Sequence, residues 1–225
     1  QRQMCIRDRY SALCAAGAMS LETAVRLVRF RAEAMQSAVP VGVGGMAAVI
    51  GLADDDVEAA VAEARETGRV EAVNFNAPGQ VVIAGEKAAV ARAIECAKAL
   101  GCRRAIELPV SAPFHSSLMQ PAADKLAARL VETEIQVPAI PVIANIDVEV
   151  HETPDAIREA LARQAAGAVQ WVRTIERMKA AGITDIVECG PGKVLTGLLR
   201  RTAPEINGHN IFDAASLAAV LEKLN

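Results

Sequence analysis

The sequence is poor in aromatic residues: Phe, Trp and Tyr make up 3% of its 225 residues, although 52% of the chain is hydrophobic. A core with few rings is built mainly from Ala, Val, Leu and Ile, which is typical of layered α/β proteins with close helix–sheet contacts. The formal net charge is only −3. Because nucleic-acid-binding domains carry a marked basic excess, no nucleic acid partner is expected.

Disulfide, zinc and membrane signals are also missing. The five cysteines form no CxxC pair and are odd in number, which fits a reducing cytoplasm better than a disulfide framework. The three histidines, at positions 115, 151 and 209, are too scattered to suggest a zinc site. An uncharged run over 34–53 contains Pro40 and four glycines. We therefore expect a helix end, a loop and a strand there, and no membrane span.

Element patterns divide the chain into two predicted units. Over 43–110, strand-like and helical stretches follow the order β-α-β-β-α-β, with Asn76-Ala-Pro-Gly79 as the turn between the second and third strands. That order predicts a ferredoxin-like subdomain. Over 111–225, helices alternate with strands such as 142–145, which predicts a largely parallel sheet with helices on its faces. Residues 1–9 show neither pattern and are expected to lie outside the fold.

His115 is the clearest candidate for acid–base chemistry. It follows a predicted strand that stops at Pro109, and a second proline, Pro113, precedes it by two residues. A strand that ends at a proline and delivers a His into an irregular turn is a common way to present a base at a cleft. His is the usual general base but also a frequent loop residue, so spacing alone leaves both interpretations open.

Two patterns around residue 190 indicate weaker alternatives. Gly190-Pro-Gly-Lys193 lies between a predicted strand and a predicted helix, where phosphate loops occur. It lacks the GxxxxGK[ST] spacing, which favours a tight strand-to-helix turn. Cys189, at the end of that strand, would have to pair with His115 to act as a nucleophile, whereas a small core residue is the usual role of a cysteine there.

Six motifs, in one order from Tyr10 to about Arg201, resemble those of a known family. They are Tyr10-Ser-Ala-Leu-Cys-Ala-Ala-Gly-Ala, Ala24-Val-Arg-Leu-Val-Arg-Phe-Arg31, Val73-Asn-Phe-Asn-Ala-Pro-Gly-Gln-Val-Val-Ile-Ala-Gly85, Pro109-Val-Ser-Ala-Pro-Phe-His-Ser116, Val169-Gln-Trp171 and Glu188-Cys-Gly-Pro-Gly-Lys-Val-Leu195. Together they resemble the malonyl-CoA:acyl carrier protein transacylases of bacterial fatty acid synthesis.

The resemblance implies an α/β fold in two parts. An α/β-hydrolase-like acyltransferase core with a parallel sheet would be formed by 10–42 and 111–225, and a ferredoxin-like subdomain by 43–110. The implied reaction moves a malonyl group from malonyl-CoA to the phosphopantetheine thiol of acyl carrier protein by a Ser/His ping-pong mechanism. This reaction needs no cofactor or metal, and we expect a monomer in the cytoplasm.

The resemblance also assigns roles to five residues. His115 would be the general base and acid, and the backbone carbonyl of Gln170 would orient its ring in place of a triad carboxylate. Arg31 would bind the free carboxylate of the malonyl group, which suits a planar guanidinium better than a Lys ammonium. Met35, one helical turn on, would line the acyl pocket. Phe114 would narrow the space beside the α-carbon and so favour malonyl over methylmalonyl.

The segment before Tyr10 departs from the family's pattern. The family has Gly-His-Ser-Leu-Gly-Glu there, whereas residues 4–9 are Met-Cys-Ile-Arg-Asp-Arg, with Ile6 at the nucleophile position. The upstream segment that holds the first sheet strands and a glutamine oxyanion donor is also absent. We therefore expect this chain to be an N-terminally incomplete and inactive transacylase, with 1–9 as a non-family segment.

Two alternatives stay open. A non-catalytic module that binds acyl carrier protein or CoA would keep the cleft at His115 without turnover. Saturable binding of acyl carrier protein without transfer would indicate this module. An acyltransferase domain of a polyketide synthase would share the motifs, and long flanking synthase domains in the gene would favour it.

Overall fold

A computed structural model describes residues 5–40 and 42–224, with side chains from Arg9 onward. The described part of the chain mixes helices and strands, which gives the α/β architecture that the composition predicts. The helices are α1 (Cys5–Ala15), α2 (Leu21–Gln36), α3 (Asp54–Ala64), α4 (Lys87–Ala99), α5 (Gln120–Val131), α6 (Pro154–Arg163), α7 (Trp171–Ala180), α8 (Val194–Thr202) and α9 (Ala214–Leu224). The strands are β1 (Gly44–Ile50), β2 (Val70–Ala77), β3 (Gln80–Glu86), β4 (Arg104–Glu107), β5 (Ile143–Ala144), β6 (Glu149–Val150), β7 (Asp185–Cys189) and β8 (Asn207–Ile211).

The largest described sheet has four antiparallel strands in the order β2-β3-β1-β4. Helices α3 and α4 cover one of its faces. Side chains along β3 alternate between the two faces of the sheet. Val81 and Ile83 join the apolar core with these helices, while Val82 and Ala84 face the other side. The order β-α-β-β-α-β along these elements is the one that the sequence predicts.

The second face of this sheet packs against the loop that follows β4. Met46 and Val82 on the sheet form an apolar cluster with Leu108, Val110 and Phe114 of the loop. Both faces of the sheet are therefore covered. Leu108, Val110 and Phe114 are only partly buried, so each contributes less than the roughly 1.5–3 kcal/mol of a fully buried large apolar side chain.

The prediction of a largely parallel sheet in the second half of the chain is not confirmed in the described residues. Parallel pairing there is limited to β7 with β8 and to a bridge between Asn74 and Val169. The strand predicted over 142–145 is reduced to β5, two residues that pair antiparallel with β6. The chain turns back at once, because the amide of Val148 donates to the carbonyl of Ala144 (2.8 Å). This turn ends β5 at Ala144.

A second apolar core joins α1, α2, α5 and α6, with Tyr10, Leu126 and Leu161 among its fully buried side chains. Helix α2 begins after an N-cap, Ser20, whose hydroxyl accepts a hydrogen bond from the amide of Thr23 (3.1 Å). Such a cap stabilises a helix by about 1 kcal/mol. The cap and the core together fix the direction of α2, which carries two of the predicted site residues.

The N-terminal segment differs from expectation in its backbone. Residues 5–9 are helical and continue into 10–15 as one helix, because they contain neither Gly nor Pro to interrupt it. Residues 1–4 lie outside the described residues, so the predicted boundary at residue 9 stays a prediction. Among the described helices, none combines the length and the apolar character needed to cross a membrane.

Candidate active site

His115 is buried at the centre of the candidate site. The loop after β4 has no helix or strand as far as Ser116, which confirms the predicted irregular turn. The backbone of His115 has φ 68°, a left-handed conformation that costs of order 1–3 kcal/mol for most residues other than glycine. His adopts it more often than bulky or β-branched residues do. Only 1% of the residue is exposed.

Two backbone carbonyls hold the His115 ring. Its Nδ1 lies 3.1 Å from the carbonyl oxygen of Gln164 and 3.1 Å from that of Gly167. A carbonyl oxygen only accepts hydrogen bonds, so in the neutral ring Nδ1 carries the proton and donates it. The other nitrogen, Nε2, then has a lone pair; it is buried and makes no hydrogen bond to the described residues. A ring fixed in this way presents Nε2 as a proton acceptor.

The predicted orienting role of the Gln170 carbonyl is wrong. This carbonyl accepts hydrogen bonds from the amide (2.9 Å) and the hydroxyl (2.8 Å) of Thr174, in the first turn of α7. Gln164, by contrast, follows the last residue of α6, where carbonyls have no helical donor. The end of α6 is the signal that distinguishes the two residues, because a carbonyl just past a helix end is available to a neighbour and one at a helix start is not.

Asn145 and Gly167 belong to the site although no motif indicates them. The side-chain oxygen of Asn145 accepts a hydrogen bond from Nε2 of Gln164 (2.5 Å), and its backbone carbonyl accepts one from the amide of Gln170 (2.7 Å). Gly167 packs so closely on Ile146 that an added Cβ would lie 2.4 Å from its Cδ1. Single Asn and Gly residues are common in turns, so neither stands out in the sequence.

Burial is the main cause that lowers the pKa of His115, from 6.5 to about 4, and the positive charge of Arg31 is the second. The hydrogen bonds to Gln164 and Gly167 stabilise the protonated ring and raise the pKa, but by less than burial lowers it. The ring is therefore neutral at neutral pH, and Nε2 is available to accept a proton.

The lowered pKa of His115 predicts a loss of stability at acid pH. As the pH falls from 6.5 towards 4, the unfolded chain binds a proton at this ring that the folded protein does not bind. The stabilisation is thus complete above pH 6.5 and is lost on the way down to pH 4. Since one pKa unit equals about 1.4 kcal/mol, the free energy of unfolding is expected to fall by about 3 kcal/mol between pH 7 and pH 4 through this residue.

Urea unfolding at both pH values measures this contribution when the chain is compared with His115→Asn. Asparagine does not titrate, and it tolerates positive φ. The difference in pH dependence between the two proteins is the quantity to be measured. An identical pH dependence in both proteins would contradict the prediction.

Arg31 projects from α2 towards His115. The buried positions of α2 share one face: Ala24, Leu27, Arg31, Ala34 and Met35. Arg31 is only 7% exposed, and its charge acts on the ring of His115. Arg29, on the other side of the helix, is exposed and pairs with Glu33 (2.9 Å). The helix therefore directs one arginine into the site and leaves the other in solvent.

Met35 and Phe114 belong to one apolar cluster beside His115. Met35 is 2% exposed and packs in this cluster with Ala165, a neighbour of the carbonyls that hold the ring. Phe114 is partly buried against the same cluster and against the antiparallel sheet. The fold thus brings together Arg31, Met35, Phe114 and His115, four of the five predicted site residues.

Strand β2 contacts both segments that define the site. The carboxylate of Glu71 accepts hydrogen bonds from the amide (2.9 Å) and the hydroxyl (2.5 Å) of Ser117, just after the loop. Further along the strand, the carbonyl of Val73 accepts from the amide of Val169 (2.8 Å), and the carbonyl of Val169 accepts from the amide of Phe75 (3.0 Å). The antiparallel sheet therefore holds the loop and the carbonyl-bearing segment together.

The turn Gly190-Pro-Gly-Lys193 is not arranged for phosphate. The N-terminus of α8, which follows it, is occupied by the carboxylate of Glu188. This carboxylate accepts hydrogen bonds from the amides of Leu195 (3.1 Å) and Thr196 (2.8 Å). A phosphate would need these same donors, so the interpretation as a tight turn is favoured.

Cys189 does not pair with His115. Nε2 of the ring makes no hydrogen bond to the described residues, and its Nδ1 is used by backbone carbonyls. The expectation of a small core residue is also wrong, because Cys189 is exposed. In the part of the chain that the structure describes, no group of three or more His, Cys, Asp or Glu is placed to hold a metal ion.

Comparison with known proteins gives consistent matches. The family model described as acyl transferase domain matches residues 9–222. Malonyl CoA-acyl carrier protein transacylase of Escherichia coli (strain K12) is 49% identical over 213 residues, which cover 95% of this chain and 69% of that protein. The crystal structure of acyl-carrier-protein S-malonyltransferase from Burkholderia pseudomallei 1710b has a TM-score of 0.93 and 57% identity, over 95% of this chain and 69% of that one. A malonyl-transacylase in complex with its type II PKS acyl-carrier protein has a TM-score of 0.94 and 46% identity, over 96% of this chain and 70% of that one.

Proposed function

The chain belongs to the acyl transferase domain family, and on this basis we propose that it serves the transfer of a malonyl group from malonyl-CoA to acyl carrier protein in the cytoplasm. The single observation that carries the proposal is the buried, neutral ring of His115, whose Nδ1 is held by two carbonyls while Nε2 keeps its lone pair. A base of this kind suits acyl transfer, in which each half-reaction moves one proton.

The proposed mechanism has two half-reactions of the same form. In the first, a serine hydroxyl attacks the carbonyl carbon of the malonyl thioester while Nε2 of His115 takes its proton. The carbon–sulfur bond breaks, the proton passes to the CoA thiolate, and a malonyl ester remains on the serine. In the second, the phosphopantetheine thiol gives its proton to Nε2 and attacks that ester. The carbon–oxygen bond breaks and the serine regains a proton.

The two carbonyls replace the carboxylate of a Ser-His-Asp triad. They orient the ring and stabilise the imidazolium through the Nδ1 proton. Because they are neutral, they raise the pKa of the ring less than a carboxylate would. This agrees with the lowered pKa of His115 and keeps the ring unprotonated before the reaction begins.

Arg31 is the proposed site for the free carboxylate of the malonyl group. Its guanidinium offers a planar fork that can bind both carboxylate oxygens. The residue is buried beside His115, where water competes little for these hydrogen bonds. Met35 and Phe114, in the adjoining apolar cluster, would enclose the acyl chain, with Phe114 limiting substituents at the α-carbon.

The strand order β2-β3-β1-β4 supports a ferredoxin-like subdomain over 43–110. We propose that 10–42 and 111–225 form an α/β-hydrolase-like core to which this subdomain is attached. The parallel pairing of β7 with β8 would belong to that core. In this arrangement the subdomain supplies one wall of the site through the contacts of β2.

Residues 4–9 decide what the 225-residue chain does by itself. By the resemblance, residue 6 would be the family's nucleophile position, and an isoleucine there has no hydroxyl to be acylated. We expect no covalent label above background after the purified chain is mixed with radiolabelled malonyl-CoA and then denatured. Stoichiometric label on a serine or on Cys5 would contradict this expectation.

A fused enzyme tests the proposed function directly. In it, residues 1–9 are replaced by the part of the Escherichia coli relative that precedes the position of Tyr10, including its nucleophile motif. We expect this protein to form a malonyl ester on serine and to pass the group to acyl carrier protein. A folded fused enzyme that binds acyl carrier protein saturably but transfers nothing would favour the non-catalytic binding module.

A further inference from the structure

We propose that Asn145 is a positioning residue for His115: it fixes the segment 164–170, whose carbonyls keep the proton on Nδ1. None of the hydrogen bonds between the described residues joins Asn145 to the His115 ring. Asn145 would therefore act on the ring through Gln164 and its neighbours. The inference rests on the proposed function in one respect, namely that an acyl transferase needs the lone pair on Nε2.

The first contact joins Asn145 to the residue that supplies one carbonyl. Nε2 of Gln164 donates to Oδ1 of Asn145 at 2.5 Å. Gln164 is 1% exposed and Asn145 is 8% exposed, so little water is present to replace this hydrogen bond. A buried amide strongly favours a geometry that keeps its partner. The side chain of Gln164 therefore restrains the backbone carbonyl of the same residue.

The second contact holds the far end of the segment. The amide of Gln170 donates to the backbone carbonyl of Asn145 at 2.7 Å. The segment from Gln164 to Gln170 is thus attached at both ends to one residue. Between these ends lies Gly167, which supplies the second carbonyl to His115.

A third contact supports the middle of the segment. The side chain of Ile146, the residue after Asn145, packs so closely on Gly167 that an added Cβ would meet its Cδ1 at 2.4 Å. Two consecutive residues of one turn therefore contact both residues whose carbonyls accept from the ring: Asn145 by a hydrogen bond to Gln164, and Ile146 by packing on Gly167. A shift of this turn would move both carbonyls together.

The turn itself is held in an uncommon conformation. Val148 has φ 64°, which is a genuine outlier for a β-branched residue. Its amide donates to the carbonyl of Ala144 (2.8 Å), and its carbonyl accepts from the guanidinium of Arg177. Such a conformation persists only where the surroundings determine it strongly. The surroundings here place Asn145 and Ile146 against the segment.

The tautomer of His115 follows from this arrangement. With two carbonyls facing Nδ1, the neutral ring keeps its proton there and leaves Nε2 free to accept another. If the carbonyls moved away, the proton could reside on Nε2 instead. That form cannot accept a proton from a hydroxyl or thiol at Nε2.

Nitrogen-15 NMR of the histidine rings tests the proposal on the 225-residue chain, without any need for turnover. The chain has three histidines, and the His115 signals are identified by their loss in His115→Asn. In the unmodified chain we expect the proton of His115 on Nδ1. In Asn145→Ala we expect the Nδ1–H population to fall by about twofold or more, because a ring without fixed acceptors divides its proton between two nitrogens.

Two variants separate positioning from a general structural role. Asn145→Asp keeps the oxygen that accepts from Gln164, and it is expected to retain the Nδ1–H form. Asn210→Ala removes an amide that donates to Glu188 (3.0 Å) and Thr196 (2.9 Å), away from the ring, and it is expected to leave the tautomer unchanged. Asn145→Ser, whose shorter side chain does not reach Gln164, replaces Asn145→Ala if the alanine variant does not fold.

An unchanged tautomer in folded Asn145→Ala or Asn145→Ser overturns the proposal, and so does an equal change in Asn210→Ala. Failure of the proposed function has a different signature, the absence of malonyl transfer by the fused enzyme. The two failures are therefore distinguishable, since the tautomer is measured in the resting chain.

Discussion

Replacement of His115 by asparagine in the fused enzyme is expected to lower kcat/KM for malonyl transfer by about 10²- to 10⁴-fold, the range typical for loss of a positioned general base. Both half-reactions need a proton acceptor at the same place, so ester formation and transfer to the carrier protein should fall together. Asparagine is the appropriate replacement, because it tolerates the φ of 68° at this position.

His209→Asn is the matched control for this variant. His209 is also largely buried, and its Nε2 bonds to Asp185 at 2.8 Å on the β7–β8 pair. Its replacement removes a second histidine, whose side chain is 12% exposed, without touching the site. We expect its transfer rate to stay close to that of the unsubstituted fused enzyme. An equal loss of transfer rate in both variants would show that His115→Asn does not act by removing a base.

Replacement of Arg31 by alanine is expected to change which acyl group the fused enzyme accepts. A hydrogen bond to a charged group is worth about 1.5–3 kcal/mol, so loss of a two-point contact should lower malonyl transfer by roughly 10²- to 10⁴-fold. Acetyl transfer needs no carboxylate partner and should change little. Arg31→Lys keeps the positive charge but not the planar fork. Its rate of malonyl transfer should therefore lie between those of Arg31→Ala and of the unsubstituted fused enzyme.

A second readout of Arg31→Ala comes from the ring beside it. The positive charge of Arg31 is one of the causes that lower the pKa of His115, so its removal should raise that pKa and shift the acid limb of the pH–rate profile upwards. Arg29→Ala, on the exposed side of the same helix, is the control and should leave both selectivity and profile unchanged. Equal losses for malonyl and acetyl transfer in Arg31→Ala would remove it from the carboxylate role.

The position of a residue on one helix or loop could be predicted well from the sequence. The periodicity of α2 places Arg31 and Met35 on one buried face, and the prolines around His115 predict its irregular loop. These features depend on neighbours close in sequence, where backbone geometry leaves few choices. The same reason explains why the order of elements between β1 and β4 was predictable.

Contacts between segments that are distant in the sequence could not be predicted as well. Gln170 and Gln164 are six residues apart and chemically identical, and the carbonyl available to His115 is decided by where α6 ends and α7 begins. Helix ends are hard to predict to within a residue from sequence alone. The predicted parallel sheet is a similar case. Alternating helices and strands predict a class of sheet, but they do not predict which strands pair. The turn that ends β5 was not predicted either.

The contacts of β2 have a consequence for how the molecule opens. Because this strand is bonded to Ser117 through the side chain of Glu71 and to Val169 through its backbone, separating it from either segment releases the surroundings of the His115 ring. Proteins open in cooperative units that share such bonds. The antiparallel sheet and the His115 ring would then form one foldon, so that the ring is exposed only when the strand detaches.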